Sequence, residues 1–484
     1  MVLGNSTNYL RNILPSIKSI LTQISSSVSH PSSNFSKPLQ LKKEIPNIDY
    51  NDDIDNKASI NTKTKAKNSN SNNYKTLPLR YLDETIYKQM EPNENDQIFV
   101  AISSGVDSSV TAALLKQKYK NIQAIYMANW SQTSNCIEKD WNDVQDLCQF
   151  LNIPCKRLNF EKDYWFNVFE PMIEMYKNGL TPNPDIYCNQ FVKFGKLFNY
   201  LDEYQKNHKP ITPSSNWWLA TGHYARIMNH IPSNQFHLLR SLYPNKDQSF
   251  YLSKISPSIL NHLLLPVGHY SKTQIRQLAK DFNLPTASKP DSQGLCFVNP
   301  SNTKNGKFRK FLNDFIQPKP GNIITKDGTI FGQHQGLWHG TIGQKSGISM
   351  PQGNQLYKGV WYISEKRIAS NELVIVKGGD NVDLFTNTMI VKNWTWMGND
   401  LNFQQINQIL SNKKNDHELC VQYISLQKPL KISNFNLVNN KLNEIQISLT
   451  QLARAITPGQ NMVLYDGNRI LGCGIIQKSF KLNL

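Results

Sequence analysis

QIFVAI, residues 97–102, runs directly into SSGVDSS, residues 103–109, and this stretch indicates the fold class of the first domain. The apolar run predicts a buried strand. The small residues after it predict a tight turn, and residues 108–118 carry apolar side chains at helical spacing. The sequence therefore predicts a strand, a short turn and a helix, which is how a parallel α/β unit begins.

The same alternation continues downstream. Apolar runs at 122–127 and 153–158 predict further strands, and residues 140–151 between them have helical periodicity. Residues 217–221 add another strand candidate, which ends at Gly222-His223. Alternating strands and helices favour a Rossmann-like parallel sheet, so we predict the α/β class for this part of the chain.

From about residue 320 the composition changes to frequent glycine and short β-rich runs. These runs lie at 360–363, 373–376, 389–391 and 462–465. They predict a small central domain followed by a C-terminal β-barrel.

We divide the chain into five parts on these patterns. Residues 1–43 contain no Asp or Glu and carry apolar residues at helical spacing, which is typical of a mitochondrial targeting segment; an ordinary disordered tail is the alternative. Residues 44–76 are rich in Asn, Lys and Ser with few large apolar side chains, so we expect a disordered linker. The α/β domain then covers 77–300, the central domain 301–380 and the barrel 381–484.

Composition limits the kinds of protein this chain can be. It has 484 residues and a formal net charge of +17, which favours a polyanionic partner such as nucleic acid, although many basic proteins bind none. Its seven cysteines show no CxxC spacing, so we expect a reducing compartment and assign no metal centre. Since no run of about 18 apolar residues is present, we expect no membrane span.

The turn at 103–109 has the features of a phosphate-binding loop. Its backbone N–H groups and the partial positive charge at a helix N-terminus both favour an anion. The hydroxyls of Ser103, Ser108 and Ser109 can donate further hydrogen bonds, and Asp107 can hold Mg²⁺ or cap the helix. It is not a Walker motif, because no Gly-Lys-Ser/Thr follows, and a helix-capping turn without a ligand is the alternative.

Two cysteines lie in polar, turn-rich loops rather than in apolar runs. Cys188 follows TPNPDIY, residues 181–187, whose two prolines restrict the backbone. The nearby cation Lys193 and a helix start would lower the pKa of the thiol, and Asp185 can accept its proton. Cys296 lies in a second such loop, KPDSQGLCF. Both thiols are candidates for chemistry, with inert buried thiols as the alternative.

These motifs resemble those of known enzymes. SSGVDS resembles the SGGxDS loop of N-type ATP pyrophosphatases, which cleave ATP between the α- and β-phosphates and adenylate a substrate oxygen. Ser104 stands where that loop has its first glycine, and a positive φ there would cost serine about 1 kcal/mol. TPNPDIYCNQFVKFG and DSQGLCF are similar to the two signature loops of bacterial tRNA 2-thiouridylases. Further matching pieces lie at 126–130, 220–224, 245–249, 336–347, 361–362 and 455–460.

The resemblance implies an ATP-dependent sulfurtransferase that makes 2-thiouridine at the wobble position of tRNA. Cys296 would carry a persulfide delivered by a sulfur-relay protein, and Cys188 would complete the transfer, leaving a transient Cys188–Cys296 disulfide. ATP with its Mg²⁺ would bind to Ala101, Ile102, Ser103, Ser104, Gly105, Val106, Asp107, Ser108, Met127 and Gly222. The target base would meet Asn183, Pro184 and Asp185, and the rest of the tRNA would meet Lys246, Asp247 and Gln248. Together with the N-terminal segment, the resemblance implies a monomer in the mitochondrial matrix.

Two other functions stay open on sequence alone. Another adenylating ligase of the same ATP class would need neither cysteine, and a non-catalytic RNA-binding protein would have lost ATP cleavage through Ser104. The family's basic-aromatic pair in the barrel is missing near 423–426, so we expect altered RNA contact there. His223 is either a ligand contact or a packed loop histidine. The preferred function requires the thiols of Cys188 and Cys296 to converge beside the triphosphate pocket.

Overall fold

The computed structural model describes residues 85–484 with short gaps. The gaps are 131–133, 209–211, 213, 292–306, 352, 399, 401, 413–416, 439–440 and 483–484. By its contacts the chain divides into Met1–Thr64 and Lys65–Leu484, and every described residue belongs to the second unit. The predicted targeting segment and linker lie outside the described residues, and so does Cys296.

Strands run through the whole described part of the chain. In chain order they are β1 (Tyr87–Gln89), β2 (Gln97–Ile102), β3 (Ile122–Ala128), β4 (Cys155–Asn159), β5 (Trp217–Thr221), β6 (Ala225–His230), β7 (Gln235–Arg240), β8 (Leu263–Leu264), β9 (Gly321–Thr325), β10 (Ile330–His334), β11 (Trp361–Arg367), β12 (Glu372–Lys377), β13 (Phe385–Trp396), β14 (Leu419–Gln422), β15 (Leu430–Val438), β16 (Lys441–Arg454), β17 (Asn461–Asp466) and β18 (Arg469–Phe480).

Helices are concentrated in the first half of the described chain. They are α1 (Val106–Lys118), α2 (Ser134–Leu151), α3 (Glu161–Tyr164), α4 (Glu170–Lys177), α5 (Pro184–Tyr187), α6 (Leu197–Asn207), α7 (Lys272–Asp281), α8 (Lys307–Asn313) and α9 (Phe403–Ser411), with π-helices π1 (Trp165–Phe169) and π2 (Cys188–Lys196). None of the described helices has the length and apolar character needed to cross a membrane.

Strands β2, β3, β4, β5 and β8 form a parallel sheet in the order β4-β3-β2-β5-β8. Five of the six residues of β2 are buried, as expected for a strand covered on both faces. The predicted strand–turn–helix at its start and the α/β class are therefore confirmed. Because the strand order reverses between β2 and β5, their carboxyl ends mark the crevice where such sheets bind ligands.

Aromatic packing fixes the side of this sheet on which α6 lies. The Trp217 ring of β5 lies 4.9 Å from Phe198 of α6 and 6.3 Å from Phe99 of β2. Burying each such side chain contributes about 1.5–3 kcal/mol. Trp217 thus packs in the core of the first domain.

The central part of the chain is a separate four-stranded sheet in the order β10-β9-β12-β11. Its small core contains Ile323, Leu337, Ile363 and Ile375. The β-rich runs predicted here correspond to β11 and β12, which pair as an antiparallel hairpin.

The last six strands form a closed antiparallel barrel. They follow the order β18-β13-β16-β15-β14-β17, and an additional β17–β18 pairing closes the circle, which confirms the predicted barrel. Strand β18 also pairs with β7 through Arg469 and Leu239. The hairpin β6–β7 of the first domain is therefore continuous with a barrel strand, which joins the barrel to the parallel-sheet domain.

Candidate active site

Residues 103–108 follow β2 and form what we call the nucleotide loop. It lies at the crevice marked by the carboxyl ends of β2 and β5. The Ser108 hydroxyl accepts from the backbone N–H of Ser103 at 3.1 Å and lies 3.1 Å from the carbonyl oxygen of Gly105. The Ser109 hydroxyl donates to the same Gly105 oxygen at 2.8 Å. The serine hydroxyls predicted to meet phosphate are thus also the groups that shape the loop.

Gly222, directly after β5, approaches this loop too closely for any side chain. A Cβ on Gly222 would lie 2.7 Å from the backbone nitrogen of Ser108 and 2.9 Å from the carbonyl carbon of Asp107. Non-bonded atoms do not come that close, so the position requires glycine. The predicted nucleotide residue Gly222 and the predicted loop are therefore in direct contact.

The other predicted nucleotide residues lie behind the loop or beside it. Ala101, Ile102 and Val106 are buried, so a ligand can meet only their backbone. Met127 is half-buried near the carboxyl end of β3, the neighbour of β2. These four residues lie at the carboxyl ends of β2 and β3 or at the start of α1.

Ser104 does not carry the backbone strain considered for it. It is not one of the described non-glycine residues with a positive φ. Its hydroxyl donates to the Asp140 carboxylate of α2 at 2.5 Å. Ser104 therefore links the loop to α2 through a hydrogen bond, and it has none of the strain of a left-handed backbone conformation.

Asp107 connects the loop to two side chains that the sequence did not reveal. Its Oδ1 accepts hydrogen bonds from the Tyr224 hydroxyl and the Lys272 ammonium group, each at 2.7 Å. Gly105 is the N-cap of α1, so Asp107 is not the cap, and the capping role predicted as an alternative is wrong. Burial and the adjacent Asp107 charge hold the pKa of Tyr224 far above its ordinary value, so this phenol remains a donor.

Asp291 extends the same charge network. Its carboxylate lies 2.5 Å from Arg276, 2.7 Å from Lys246 and 3.0 Å from Lys272. Burial opposes its ionisation, but hydrogen bonds from the three cations hold the pKa of Asp291 well below its ordinary value. Lys272 is thereby shared between Asp291 and the nucleotide loop. No local pattern marks it, because it contacts a residue 165 positions away.

Cys188 lies within a helical segment rather than in the turn-rich loop that was predicted. Helix α5 begins at Pro184, with Asn183 as its N-cap, and π2 begins at Cys188. The loop prediction is wrong because proline is favoured in the first turn of a helix, where its missing N–H costs nothing. Cys188 is half-buried and packs against the core of the first domain.

The helix that carries Cys188 reaches the nucleotide side through Lys193. The Lys193 ammonium group lies 3.4 Å from Nε2 of His223, and Nδ1 of His223 lies 2.8 Å from the Thr221 hydroxyl. Burial and then the Lys193 charge hold the pKa of His223 well below its ordinary value, so the ring is neutral. An ammonium group only donates, so Nε2 accepts and Nδ1 carries the proton. His223 follows Gly222 directly, so the π2 helix and the nucleotide loop converge here.

Asp185 lies on the same helical segment, and its environment favours a proton acceptor. Burial raises the pKa of this half-buried carboxyl group, and the charge of Lys193 partly opposes the rise. A carboxylate with a raised pKa is a stronger base than one in water. Burial raises the pKa of Tyr251; the hydrogen bond with Ser425 opposes this rise, and the Asp185 charge adds to it.

The barrel holds the residues that lead into α5. The carbonyl oxygen of Pro458 accepts from the N–H of Thr181 at 3.0 Å, and the Gln460 side chain donates to the carbonyl oxygens of Thr181 (2.9 Å) and Pro182 (3.3 Å). Gly459 has φ +93°, and a Cβ on it would lie 2.6 Å from the Thr181 nitrogen. We call these contacts the barrel clamp. Residues 455–460, one of the pieces that match the family, thus position Thr181 and Pro182, which lead into the helix of Cys188.

The central domain contacts the same approach from another side. The Lys366 ammonium group of β11 donates to the carbonyl oxygen of Gly179 at 2.9 Å. Burial lowers the pKa of Lys366 to about 7. Both accessory domains therefore bind the backbone just ahead of Asn183.

The three residues predicted to meet tRNA differ in exposure. Lys246 is partly exposed and paired with Asp291. Asp247 is buried, where it accepts from the backbone and hydroxyl of Ser249 and pairs with Arg240. Gln248 exchanges hydrogen bonds with the backbone of Tyr224, next to the nucleotide loop. In this arrangement Lys246 alone of the three presents a charge at the surface.

Three other described cysteines have environments that disfavour thiolates. Burial raises the pKa of Cys148 to about 12 and that of Cys420 to about 11, and it also raises the pKa of Cys473. A thiol that stays protonated is neither a nucleophile nor a metal ligand.

Cys296 lies in 292–306, outside the described residues, so the convergence of Cys188 and Cys296 stays a prediction.

Family models match the three domains of the described chain in order. A tRNA methyl transferase HUP domain matches residues 96–300, a tRNA methyl transferase PRC-barrel domain matches 309–377, and an aminomethyltransferase beta-barrel domain matches 386–476. The fold and the loop therefore define a HUP-domain protein with two β-rich accessory domains.

Individual relatives narrow this class further. The chain is 46% identical over 403 residues to the mitochondrial tRNA-specific 2-thiouridylase 1 of Saccharomyces cerevisiae, covering 80% of this chain and 93% of that protein. It is 36% identical over 395 residues to the Schizosaccharomyces pombe protein of the same name, covering 80% and 91%. It is also 36% identical over 390 residues to the tRNA-specific 2-thiouridylase MnmA of Buchnera aphidicola subsp. Baizongia pistaciae, covering 79% and 97%. The chain belongs to the tRNA-specific 2-thiouridylase family, as the signature loops indicated.

Proposed function

We propose that this protein is an ATP-dependent tRNA sulfurtransferase that converts the wobble uridine of mitochondrial tRNAs to 2-thiouridine. The observation that carries the proposal is the Lys193–His223 contact, which joins the helix of Cys188 to the strand end that touches the nucleotide loop. Activation and sulfur transfer need groups that lie side by side, and this contact supports such an arrangement.

Activation begins at the loop 103–108. The C2 oxygen of uridine attacks the α-phosphorus of ATP, the α–β bond breaks, and pyrophosphate leaves with the bonding electrons. The C2 oxygen is a poor leaving group by itself, but once adenylated it can leave as part of AMP. The N-terminus of α1 and the loop N–H groups favour the phosphates. Ala101, Ile102, Met127 and Gly222 would form the surrounding wall.

Mg²⁺ fits this site as a companion of ATP. In the part of the chain that the structure describes, no three His, Cys, Asp or Glu side chains cluster to hold a metal ion by themselves. A nucleotide-borne Mg²⁺ needs only one or two carboxylates, because phosphates and water complete its shell. Asp107 would supply one, and the ion would offset phosphate charge.

Sulfur transfer uses the two cysteines. The terminal sulfur of a Cys296 persulfide attacks C2, forming the C–S bond as AMP leaves. The Cys188 thiolate then attacks Sγ of Cys296, the S–S bond breaks, and its electrons stay on the thiouridine sulfur. In the other order, Cys188 attacks first and releases hydrosulfide, which attacks C2. Both routes reduce one sulfane sulfur and leave a Cys188–Cys296 disulfide, which a thiol reductant must reopen.

Substrate contacts follow from the same geometry. Asn183, Pro184 and Asp185 would meet the target base, with Asp185 accepting a proton, after the uridine has left its stack. Lys246 would meet the RNA backbone. Asp247 and Gln248, which are bonded internally, would act by supporting Lys246 and Tyr224.

Location and partners complete the proposal. Two relatives bear mitochondrial names, and we place this protein in the matrix, with 1–43 as its targeting segment and 44–76 as a linker. The domains would span 77–300, 301–380 and 381–484. A sulfur-relay protein would load Cys296, and the enzyme would act as a monomer.

The test is nucleoside analysis of organellar tRNA from cells that carry Cys188→Ser or Cys296→Ser. Each variant should abolish 2-thiouridine. The Cys155→Ser variant, with its half-buried thiol on β4, should retain it. Thiouridine at normal levels in either variant would contradict the role of that cysteine in sulfur transfer.

A further inference from the structure

Lys272 is a cation at the nucleotide loop to which neither the motifs nor the family models give a role. It is the first residue of α7, and the preceding Ser271 forms a capping box with Gln274 that fixes the local backbone. Its ammonium group lies 2.7 Å from Oδ1 of Asp107 and 3.0 Å from Oδ1 of Asp291, and its side chain is 18% exposed. A fixed backbone with a long, partly exposed side chain allows the charge to move while the helix stays in place.

Both carboxylates keep a donor if Lys272 turns away. Asp291 keeps Lys246 at 2.7 Å and Arg276 at 2.5 Å, and Asp107 keeps the Tyr224 hydroxyl at 2.7 Å. Removing one donor from a buried acceptor is costly mainly when none remains. Movement of the Lys272 ammonium group therefore leaves neither carboxylate unsatisfied.

Nucleotide binding supplies a reason for that movement. Asp107 would be a ligand of the metal ion that accompanies ATP, and a second cation beside this carboxylate would repel the Lys272 ammonium group. The nearest new negative charge is then the triphosphate on the loop. A compact ammonium group with three donors suits phosphate oxygens.

We propose that Lys272 is a nucleotide-binding residue whose ammonium group passes from Asp107 to the β- and γ-phosphates of ATP and stabilises the departing pyrophosphate. This inference rests on the proposed function. The uridine oxygen bonds to the α-phosphorus, the electron pair of the breaking P–O bond goes to pyrophosphate, and Lys272 neutralises charge without giving up a proton. Lys272 then returns to Asp107 when pyrophosphate leaves.

The test compares ATP with AMP, since AMP lacks the phosphates that Lys272 would contact. Calorimetric titration of the full-length enzyme with each nucleotide and Mg²⁺ should show that Lys272→Met weakens ATP binding by roughly tenfold to a hundredfold, the loss expected for a charge-assisted bond. AMP binding should be unchanged, which also shows that the variant is folded. Lys272→Arg should restore part of the ATP affinity.

Arg276→Met is the matched control, because it removes another cation from Asp291 without touching Asp107. It should leave the ratio of ATP to AMP affinity unchanged. Equal weakening of both nucleotides by Lys272→Met, or no weakening, would overturn the proposal. If the wild-type enzyme bound neither nucleotide, the proposed function would fail as well. If Lys272→Met selectively lost ATP binding but the wild-type enzyme formed no thiouridine, the role of Lys272 in ATP binding would stand. The proposed function would then be contradicted.

Discussion

At the scale of single residues, the nucleotide loop depends on the absence of a side chain at position 222. We expect Gly222→Ala to push the β5 end away from the loop, because its Cβ would lie 2.7 Å from the Ser108 nitrogen. Overpacking of this kind costs about 1–3 kcal/mol. ATP affinity should fall about tenfold or more in calorimetric titration. Gly353→Ala, whose Cβ would meet nothing within 4 Å, is the control and should bind ATP normally.

The pH dependence of sulfur transfer belongs to the same scale. Asp185 must be ionised to accept a proton, and its pKa is raised by burial, so the rate should fall as pH drops through a value above the ordinary Asp pKa of about 3.9. Lys193→Met removes the charge that lowers the pKa of Asp185, so the acid limb should move to higher pH. Single-turnover thiouridine formation across pH measures this shift.

Lys196→Met is the control for that profile, because Lys196 lies on the same π2 helix but pairs with Asp163 at 3.2 Å. The acid limb of the pH–rate profile of Lys196→Met should match that of the wild type. If the Lys193→Met profile also matched the wild type, Asp185 would not be the base. The contribution of Asp185 to folding stability depends on pH in the opposite direction to the rate. The folded state holds the Asp185 proton more tightly than the unfolded state, so this group favours folding more as pH falls.

Some of these residues could be predicted from sequence and others could not. The loop serines were predicted because they follow a strand end, where small residues in an α/β fold mark a ligand crevice. Gly222 was predicted through the family resemblance. Lys272 gave no signal, because its role depends on Asp107, 165 positions away. The Lys193–His223 pair likewise joins residues 30 positions apart on separate elements.

At the scale of elements, the barrel clamp should control sulfur transfer rather than ATP binding. Gly459→Ala would place a Cβ 2.6 Å from the Thr181 nitrogen and displace the start of α5. The rate of thiouridine formation should therefore fall about tenfold or more, while ATP affinity stays normal. Rapid-quench thiolation assays and calorimetry measure the two quantities.

Gly467→Ala separates the clamp from ordinary glycine strain. Gly467 also has a positive φ, at +52°, but its Cβ would meet nothing within 4 Å. It should lower the free energy of unfolding by about 1 kcal/mol and leave the rate unchanged. Equal rate losses in the two variants would mean that backbone strain, not the clamp, causes the effect.

Element prediction succeeded where periodicity was strong and local. The strand at 217–221 was found at its observed bounds, and the helix predicted at 108–118 begins two residues earlier, at Val106. The segment from Thr181 to Asn189 was predicted to be a turn-rich loop because its prolines and polar residues suggest turns. Tertiary packing overrides that preference: Ile186, Val192 and Phe194 are buried in the domain core and stabilise a helical path.

At the scale of the whole molecule, both accessory domains hold the segment that leads into the helix of Cys188. The barrel binds the backbone at Thr181 and Pro182, and the central domain binds Gly179, so both act on the approach to Cys188. The three domains were predictable from changes in composition, since β-rich runs replace the α/β alternation near residue 320. Their mutual contacts were not, because backbone hydrogen bonds between distant segments carry no sequence signal.

Cys188 and Cys296 are proposed to act together beside the nucleotide loop, and peptide mapping after one turnover can detect the disulfide that they would leave. Enzyme loaded with persulfide is mixed with ATP and tRNA, quenched with an alkylating agent, and digested without reductant. Our account predicts a Cys188–Cys296 cross-linked peptide in proportion to the 2-thiouridine formed, and none when ATP is withheld. Full formation of 2-thiouridine with both cysteines recovered as separate alkylated peptides would contradict it.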